Sequence, residues 1–297
     1  MSQPRIGFIG IGAMGFPMGS RVLKAGFPLV VYDAAPGVGE KFAREVGGRA
    51  AASLAAMAAE SDIVITMLPN SEIVEQVLFA PEGVAAALKK GATVVEMSSG
   101  VPMQTAGMGR RLAERGIAMI DAPVSGGVRK AITGELAIMA GGDDKTIDAC
   151  LPLLQSMGAR IFRTGALGSG QAMKALNNLV SAAGFVAGIE ALLIGKRFGL
   201  DPARMVEVLN ASTGKNNSTE HKFAQFVLSR QFNAGFSLDL MVKDVSIALG
   251  LARETGTTAL QSSVTRELWA AAGVELGKGV DHTEVTKLLE KLAGEAL

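Results

Sequence analysis

The chain has 297 residues, about twice the roughly 150 residues of an average domain, which favours two domains. Its apolar fraction of 48% excludes a disordered chain, because disordered chains have too few apolar groups to offset the entropy of ordering. Lys and Arg together number 29 and Asp and Glu 28, so the charge balance predicts no nucleic-acid partner.

Cysteine and histidine are scarce. Cys150 is the single cysteine, so no intrachain disulfide can form and a reducing compartment fits best. We expect Cys150 to pack in the core rather than to react. Because His221 and His282 are the only histidines and lie far apart in sequence, we expect no metal site.

The sequence predicts a soluble, cytoplasmic protein. The N-terminal apolar run is short and lacks a cleavage site of small residues, so no targeting segment is expected. The longest apolar stretch, residues 179–195, is a little short for a membrane span and is interrupted by Glu190. We therefore predict no association with a membrane.

Short apolar runs alternate with helical patterns in the first half of the chain. Strands are predicted over residues 5–9, 28–32, 63–67, 93–97, 118–120, 134–140 and 160–163. The first helix is expected over residues 14–25. Strand, helix and strand at this spacing imply a parallel sheet with crossover helices.

The pattern changes after about residue 165, where strand signals fade. Helices are predicted over residues 171–198, 202–211, 222–230, 238–254, 262–276 and 283–293. Asp201 followed by Pro202 is a good helix start, with a capping carboxylate and a proline in the first turn. We place the boundary in the glycine-rich segment 165–170, which gives an α/β domain over 1–166 and an all-helical domain over 167–297.

A glycine loop opens the first helix. It reads G-x-G-x-x-G and consists of Gly10, Ile11, Gly12, Ala13, Met14 and Gly15. In a dinucleotide-binding loop the first glycine permits the tight turn, the second lets the backbone approach a pyrophosphate and the third lets the helix pack on the sheet. The alternative is a tight turn without a ligand. The preceding strand and following helix favour the cofactor.

Asp33 ends the second predicted strand, 18 residues after Gly15, where a ribose-binding carboxylate is expected. A carboxylate accepts hydrogen bonds from a 2′-hydroxyl and repels a 2′-phosphate. Ala34 and Ala35 follow, and neither can hold that phosphate. The sequence therefore favours NAD over NADP.

Lys174 and Asn178 are four residues apart and so share one face of the helix that begins the second domain. From spacing alone, a lysine that extends to water is the stronger interpretation, and a proton donor or acceptor is the alternative. Residues 121–127, DAPVSGG, are either a turn after a strand or an anion-binding segment that exposes backbone N–H groups and a hydroxyl.

Together these segments resemble the β-hydroxyacid dehydrogenase family, of the 3-hydroxyisobutyrate dehydrogenase and tartronate semialdehyde reductase type. The matching segments occur in the family's order and cover nearly the whole chain. They are GFIGIGAMGFPM (7–18), MLPN (67–70), EMSS (96–99), DAPVSGG (121–127), GSGQAMKALNN (168–178) and LDLMVKD (238–244).

The resemblance implies a Rossmann-type domain, with a doubly wound, mostly parallel sheet, followed by an all-α C-terminal domain that often forms oligomers. It assigns the catalytic lysine to Lys174 and the substrate-orienting asparagine to Asn178. The substrate carboxylate would bind at Ser125, Gly126 and Gly127. The residues implied to line the cofactor are Leu68, Pro69, Ser99 and Lys243.

The chain departs from the family pattern at two positions. Glu96 stands where many members have Asp, and Gly100 stands where a branched residue is usual. NADP-preferring members carry Asn-Arg after the second strand, where this chain has Asp33-Ala34. Imine reductases share the architecture but generally lack the lysine. The related 6-phosphogluconate dehydrogenases are much longer.

We therefore expect reversible hydride transfer between NAD and a small 3-hydroxy acid, in a homo-oligomer (a dimer or a tetramer). Candidate substrates are 3-hydroxyisobutyrate, tartronate semialdehyde or glycerate, serine-like hydroxy acids and 4-hydroxybutyrate, whose semialdehyde is succinic semialdehyde. A non-catalytic NAD-binding module is the competing class. The sequence leaves open the exact substrate, the direction, and any role of Lys215, Asn217 and His221.

Overall fold

The computed structural model describes residues 3–297. The chain divides into two compact units, Met1–Lys174 and Ala175–Leu297. The units part inside a long helix, Ser169–Phe198, whose first turns belong to the first unit. The domain boundary expected between residues 166 and 167 remains a prediction.

The first unit is built on one sheet, to which nine strands in the described residues contribute. Their order is β3-β2-β1-β4-β5-β6-β8-β7, with β9 paired to β8. The strands are β1 Ile6–Ile9, β2 Leu29–Tyr32, β3 Arg49–Ala50, β4 Ile63–Thr66, β5 Thr93–Glu96, β6 Ala118–Asp121, β7 Val124–Ser125, β8 Leu136–Gly141 and β9 Gly158–Gly165.

Strands β1 to β6 are parallel, and β8 is antiparallel to both β6 and β7. The predicted doubly wound, mostly parallel sheet is therefore confirmed. Two strands were not predicted, β3 and β7, and each has only two residues, too few to show a pattern. The segment 121–127, expected as a plain turn or an anion site, contains β7.

Helices connect the strands on both sides of the sheet. They are α1 Gly15–Lys24, α2 Val38–Glu45, α3 Leu54–Glu60, α4 Ser71–Phe79, α5 Val84–Ala87, α6 Pro102–Ala113, α7 Gly127–Thr133 and α8 Asp144–Met157. The sequence explains several starts: the side chains of Asn70 and Asp143 accept N–H bonds at the starts of α4 and α8, and Pro102 opens α6. Because helices cover both faces, strands such as β1 and β4 are continuous buried runs.

The second unit is helical, as predicted. It contains the remainder of α9 Ser169–Phe198, followed by α10 Pro202–Ala211, α11 Asn217–His221, α12 Leu238–Glu254, α13 Leu260–Leu276 and α14 Val285–Ala293. The helix expected over 222–230 is present, but it is shorter and is not an α-helix. Phe223–Leu228 is a π-helical segment, and the wider turn buries Phe223, Phe226 and Val227 together.

Helix α9 is long and apolar enough, by length and composition, to cross a membrane. Several of its side chains, however, pack inside the second unit. Ala182, Phe185 and Ile189 are buried in the core of the second unit, in the same cluster as Trp269. α9 therefore forms part of the hydrophobic core of the second unit.

Candidate active site

The glycine loop lies where β1 ends and α1 begins, beside the point where the strand order reverses between β2 and β4. Gly10 has φ +92°, and a Cβ there would lie 2.2 Å from the carbonyl oxygen of Met67. A Cβ on Gly15 would lie 1.8 Å from the carbonyl oxygen of Gly10. These two glycines are therefore required by close backbone packing.

Gly12 differs, because a Cβ there would meet no described atom within 4 Å. The protein itself does not need a glycine at this position. Ala13 beside it is exposed, whereas Ile11 is buried in the core and Met14 packs against that core. The space over Gly12 and Ala13 therefore fits the pyrophosphate of a dinucleotide, which binds at such helix N-termini.

Asp33 holds the loop from the end of β2. Its Oδ2 accepts the Ile11 N–H at 2.7 Å, and its Oδ1 accepts the Ala35 N–H at 2.9 Å. A cavity of about 190 Å³ adjoins it, lined by Asp33, Pro36 and Gly37 among others. A polar cavity beside this carboxylate fits the adenosine end of a dinucleotide.

The loops after β4 and β5 lie at the same edge of the sheet as the glycine loop. The register pairs Ile9 with Thr66 and Thr66 with Glu96, so the carboxyl ends of the three strands align. Leu68 and Pro69 follow β4, and the Leu68 N–H donates to Ser98 Oγ at 2.7 Å. The loop after β5 also contains Ser99. The first unit therefore brings together Leu68, Pro69 and Ser99, three of the four residues predicted to line the cofactor, whereas the fourth, Lys243, lies on α12 of the second unit.

The predicted carboxylate site is the junction of β7 and α7. Ser125 closes β7, and Gly126 and Gly127 lead into the helix with φ of +133° and +66°. Such backbone angles favour glycine. The residue types at this junction therefore follow from the local conformation, and its role in binding stays a prediction.

Lys174 and Asn178 lie on α9 and are 8% and 7% exposed. This burial argues against a lysine whose ammonium extends freely into water.

Asn178 is hydrogen-bonded to a residue whose role was not predicted from the sequence. Asp244, on α12 and 1% exposed, accepts the Asn178 amide N–H at 2.5 Å through Oδ2. Lys243 lies 3.5 Å from the other carboxylate oxygen, Oδ1. Asp244 ends the segment 238–244, so the matching motif contained the signal. Within the second unit, Asn178 and Lys243 thus flank one buried carboxylate.

A second missed carboxylate fixes the start of α9. Asp121, the last residue of β6, accepts the N–H of Gly168 through Oδ1 and that of Gln171 through Oδ2, both at 2.7 Å. Burial raises the pKa of Asp121 to about 6, although the backbone bonds favour its charged form. Asp121 thereby fixes the helix turn that leads to Lys174.

The other residues singled out in the sequence are Lys215, Asn217, His221 and Cys150. Lys215 forms an ion pair with Glu220 at 2.8 Å, and the exposed His221 adjoins the same carboxylate. Asn217 begins α11. Cys150 is buried, and burial raises the pKa of its thiol to about 12, as expected for a packing residue.

Two family models together match most of the chain. The NAD binding domain of 6-phosphogluconate dehydrogenase matches residues 5–165. The NAD-binding domain of NADP-dependent 3-hydroxyisobutyrate dehydrogenase matches residues 168–289.

Similar proteins cover the chain almost end to end. It is 36% identical to 2-(hydroxymethyl)glutarate dehydrogenase of Eubacterium barkeri, over 98% of this chain and 96% of that protein. It is 35% identical to mitochondrial 3-hydroxyisobutyrate dehydrogenase of Rattus norvegicus, over 99% and 88% respectively. The solved structure of Mycobacterium tuberculosis 3-hydroxyisobutyrate dehydrogenase with L-serine has a TM-score of 0.89 at 31% identity, covering 97% of this chain and 99% of that one.

The doubly wound sheet, the glycine loop and the carboxylate at the end of β2 define a dinucleotide-binding protein. The chain belongs to the β-hydroxyacid dehydrogenase family. It is an enzyme that acts on a CH–OH group of a small-molecule substrate, with NAD as its main cofactor.

Proposed function

We propose that the protein interconverts a 3-hydroxy acid of the type HOCH2–CH(R)–COO⁻ and the corresponding semialdehyde, with Lys174 as general acid and base. The observation that carries this proposal is the burial of Lys174 and Asn178 on one face of α9. The names of the similar proteins support the substrate class. 3-Hydroxyisobutyrate, 2-(hydroxymethyl)glutarate and L-serine all have this skeleton and differ in R.

When bound, the cofactor would supply the hydride acceptor (NAD) or the hydride donor (NADH) for the hydroxyl-bearing carbon. Gly12 and Ala13 would bind its pyrophosphate, and Asp33 its ribose. Leu68, Pro69, Ser99 and Lys243 would line the nicotinamide end.

During oxidation the Nζ of Lys174 would accept the hydroxyl proton as the C–H bond breaks and the C=O bond forms. During reduction its ammonium would return that proton to the developing alkoxide and stabilise the negative charge. Asn178, held by Asp244, would orient the hydroxyl group. Ser125, Gly126 and Gly127 would bind the carboxylate.

We further propose a cytoplasmic homo-oligomer, a dimer or a tetramer, without nucleic-acid or membrane partners. The balanced charge supports the absence of a nucleic-acid partner. The burial of α9 in the core of the second unit supports the absence of a membrane span.

The test is the initial rate of reduction of NAD and of NADP with a panel of hydroxy acids. The panel contains 3-hydroxyisobutyrate, L-serine, 2-(hydroxymethyl)glutarate, glycerate and 4-hydroxybutyrate. We expect turnover of at least one acid with the HOCH2–CH(R)–COO⁻ skeleton, faster with NAD than with NADP. The variant Lys174→Ala should lose activity by about 10²–10⁴-fold, the typical range for removal of a general acid–base group, while it still binds NADH.

Binding of NADH with no turnover on the panel would contradict the proposed substrate class. Near-normal turnover by Lys174→Ala would contradict the role given to this lysine.

A further inference from the structure

Three polar residues close three neighbouring parallel strands of the sheet. They are Thr66 on β4, Glu96 on β5 and Asp121 on β6, and the register pairs Thr66 with Glu96 and Glu96 with Asp121. All three are buried, and Glu96 is 1% exposed. Because a buried carboxyl group is costly unless it is hydrogen-bonded, the partners of Glu96 show what it holds.

Glu96 is bonded to both neighbouring loops. Its Oε1 accepts the Ser98 N–H at 2.7 Å, and the Thr66 hydroxyl donates to Oε2. Ser98 Oγ in turn accepts the Leu68 N–H at 2.7 Å. A continuous chain of hydrogen bonds therefore runs from Glu96 through Ser98 to the loop after β4.

Gln171 fixes the other side of the same loop. Its Nε2 donates to the carbonyl oxygen of Ser98 at 2.8 Å, and its Oε1 accepts the Gly100 N–H at 2.8 Å. Ser99 therefore lies between two residues, Ser98 and Gly100, whose backbone groups are both hydrogen-bonded to Gln171. None of these buried hydrogen bonds takes part in the proposed hydride and proton transfer.

We propose that Glu96 is a positioning residue for the nicotinamide cofactor, which sets the loops of Leu68, Pro69 and Ser99 through its bonds to Ser98 and Thr66. The inference rests on the proposed contact of those three residues with the cofactor. Because Glu96 is only 1% exposed, we infer that it acts through these loops and not by direct contact with cofactor or substrate.

The ionisation state of Glu96 agrees with this role. Burial, with a smaller contribution from the nearby Asp121 carboxylate, raises the pKa of Glu96 to about 7, although the bonds from Thr66 and Ser98 favour its charged form. A protonated carboxyl group can keep both bonds, because its carbonyl oxygen accepts the Ser98 N–H and its hydroxyl donates to Thr66. A glutamine amide has the same two capabilities.

Two substitutions at residue 96 therefore distinguish the effect of its hydrogen bonds from the effect of its bulk. Glu96→Gln can keep both bonds, and we expect its Kd for NADH to stay within about twofold of the wild type. Glu96→Leu has similar bulk but no acceptor, and it leaves the Ser98 N–H unpaired. We expect its Kd to rise about tenfold, which is within the range for leaving a buried hydrogen-bond donor unpaired.

The measurement is the Kd for NADH by fluorescence titration, together with KM for NAD, KM for the hydroxy acid and kcat. For Glu96→Leu we expect KM for NAD to follow the Kd, while KM for the hydroxy acid changes less than about twofold. Ser98→Ala removes the next bond of the chain and should also raise the Kd, which keeps the test decisive if Glu96→Leu does not fold.

The matched controls are Glu290→Gln and Glu290→Leu, since Glu290 is a buried carboxylate paired with Arg230 in the second unit. We expect Glu290→Leu to lower the melting temperature without raising the Kd for NADH. An unchanged Kd in folded Glu96→Leu and Ser98→Ala would overturn the positioning role and leave the proposed function intact. Absence of NADH binding by the wild type would overturn both.

Discussion

Helices α1 and α9 carry the two halves of the proposed chemistry, and their first turns are built differently. At α1, Met14 occupies the capping position, and no side chain among the described residues caps the helix there. At α9, both carboxylate oxygens of Asp121 accept backbone N–H groups from Gly168 and Gln171. One helix start remains open to a ligand, whereas the other is closed by the protein's own carboxylate.

The difference follows from what each helix has to do. An open N-terminus with its dipole can bind an anion, and the glycine loop brings the backbone close enough for it to do so. A closed N-terminus cannot serve that purpose, but it is fixed in place. Lys174 lies three residues after Gln171, so a fixed first turn gives the lysine a defined position.

The largest effect that sharpens this comparison is expected in the glycine loop. Gly12→Val places a side chain where the protein offers no contact, so we expect normal folding and a Kd for NADH raised by about 100-fold, through a clash with the pyrophosphate. Calorimetric titration with NADH and a thermal melt measure the two quantities.

Gly15→Ala is the contrasting variant. Its Cβ would meet the Gly10 carbonyl oxygen at 1.8 Å, so we expect a loss of about 1–3 kcal/mol of stability, the usual effect of overpacking. A Gly12→Val protein that binds NADH normally would contradict the view that the start of α1 is a phosphate site.

A smaller effect is expected at the start of α9. Asp121→Asn keeps one acceptor and leaves either the Gly168 or the Gln171 N–H unpaired, so the first turn loosens. We expect kcat to fall about tenfold, which is about 1.4 kcal/mol of transition-state stabilisation, with the Kd for NADH within about twofold. Steady-state kinetics and NADH titration test this.

The matched control is Asp143→Asn at the start of α8, where Asp143 accepts the Thr146 N–H at 3.0 Å. It should lower stability in the same manner without lowering kcat. An equal fall of kcat in both variants would mean that Asp121 acts through general stability alone.

The last effect concerns the dependence of stability on pH. The folded-state pKa of Glu96, about 7, lies above its ordinary value of 4.5. Between these values the folded protein keeps a proton that the unfolded chain has released, so this stabilising contribution is complete below pH 4.5 and is lost as the pH rises through 7. We expect the melting temperature of the wild type to fall relative to Glu96→Gln over this range.

The expected size is on the order of 1–3 kcal/mol, or a few degrees for a domain of this length. Melting temperatures of both proteins from pH 4.5 to 8 give the difference directly. A constant difference across that range would show that Glu96 has the same affinity for protons in both states.

The start of α1 could be predicted from the sequence more completely than the start of α9. Gly10, Gly12, Gly15 and Asp33 form a local motif within 24 residues, so their spacing and the adjoining strand and helix patterns suffice to predict a cofactor loop. The bonds of Asp121 to Gln171 and of Asp244 to Asn178 join residues 50 and 66 positions apart. Such pairs depend on strand order and helix packing, which one sequence does not display.

Local geometry limited the prediction elsewhere. The helix expected over 222–230 has the apolar content of an α-helix, but its buried aromatic and aliphatic side chains are accommodated by a π turn. The burial of Lys174 also depends on tertiary packing. Spacing alone favoured a solvated lysine, and the structure places it among the buried residues.

The most direct test of the account is the fate of the hydrogen on the hydroxyl-bearing carbon. The fastest hydroxy acid of the panel, deuterated at that carbon, is incubated with NAD and the wild-type enzyme, and the products are analysed by mass spectrometry. We predict one deuterium in each NADH formed, together with the semialdehyde. NADH without deuterium, or semialdehyde without NADH, would contradict hydride transfer from the hydroxy acid to NAD.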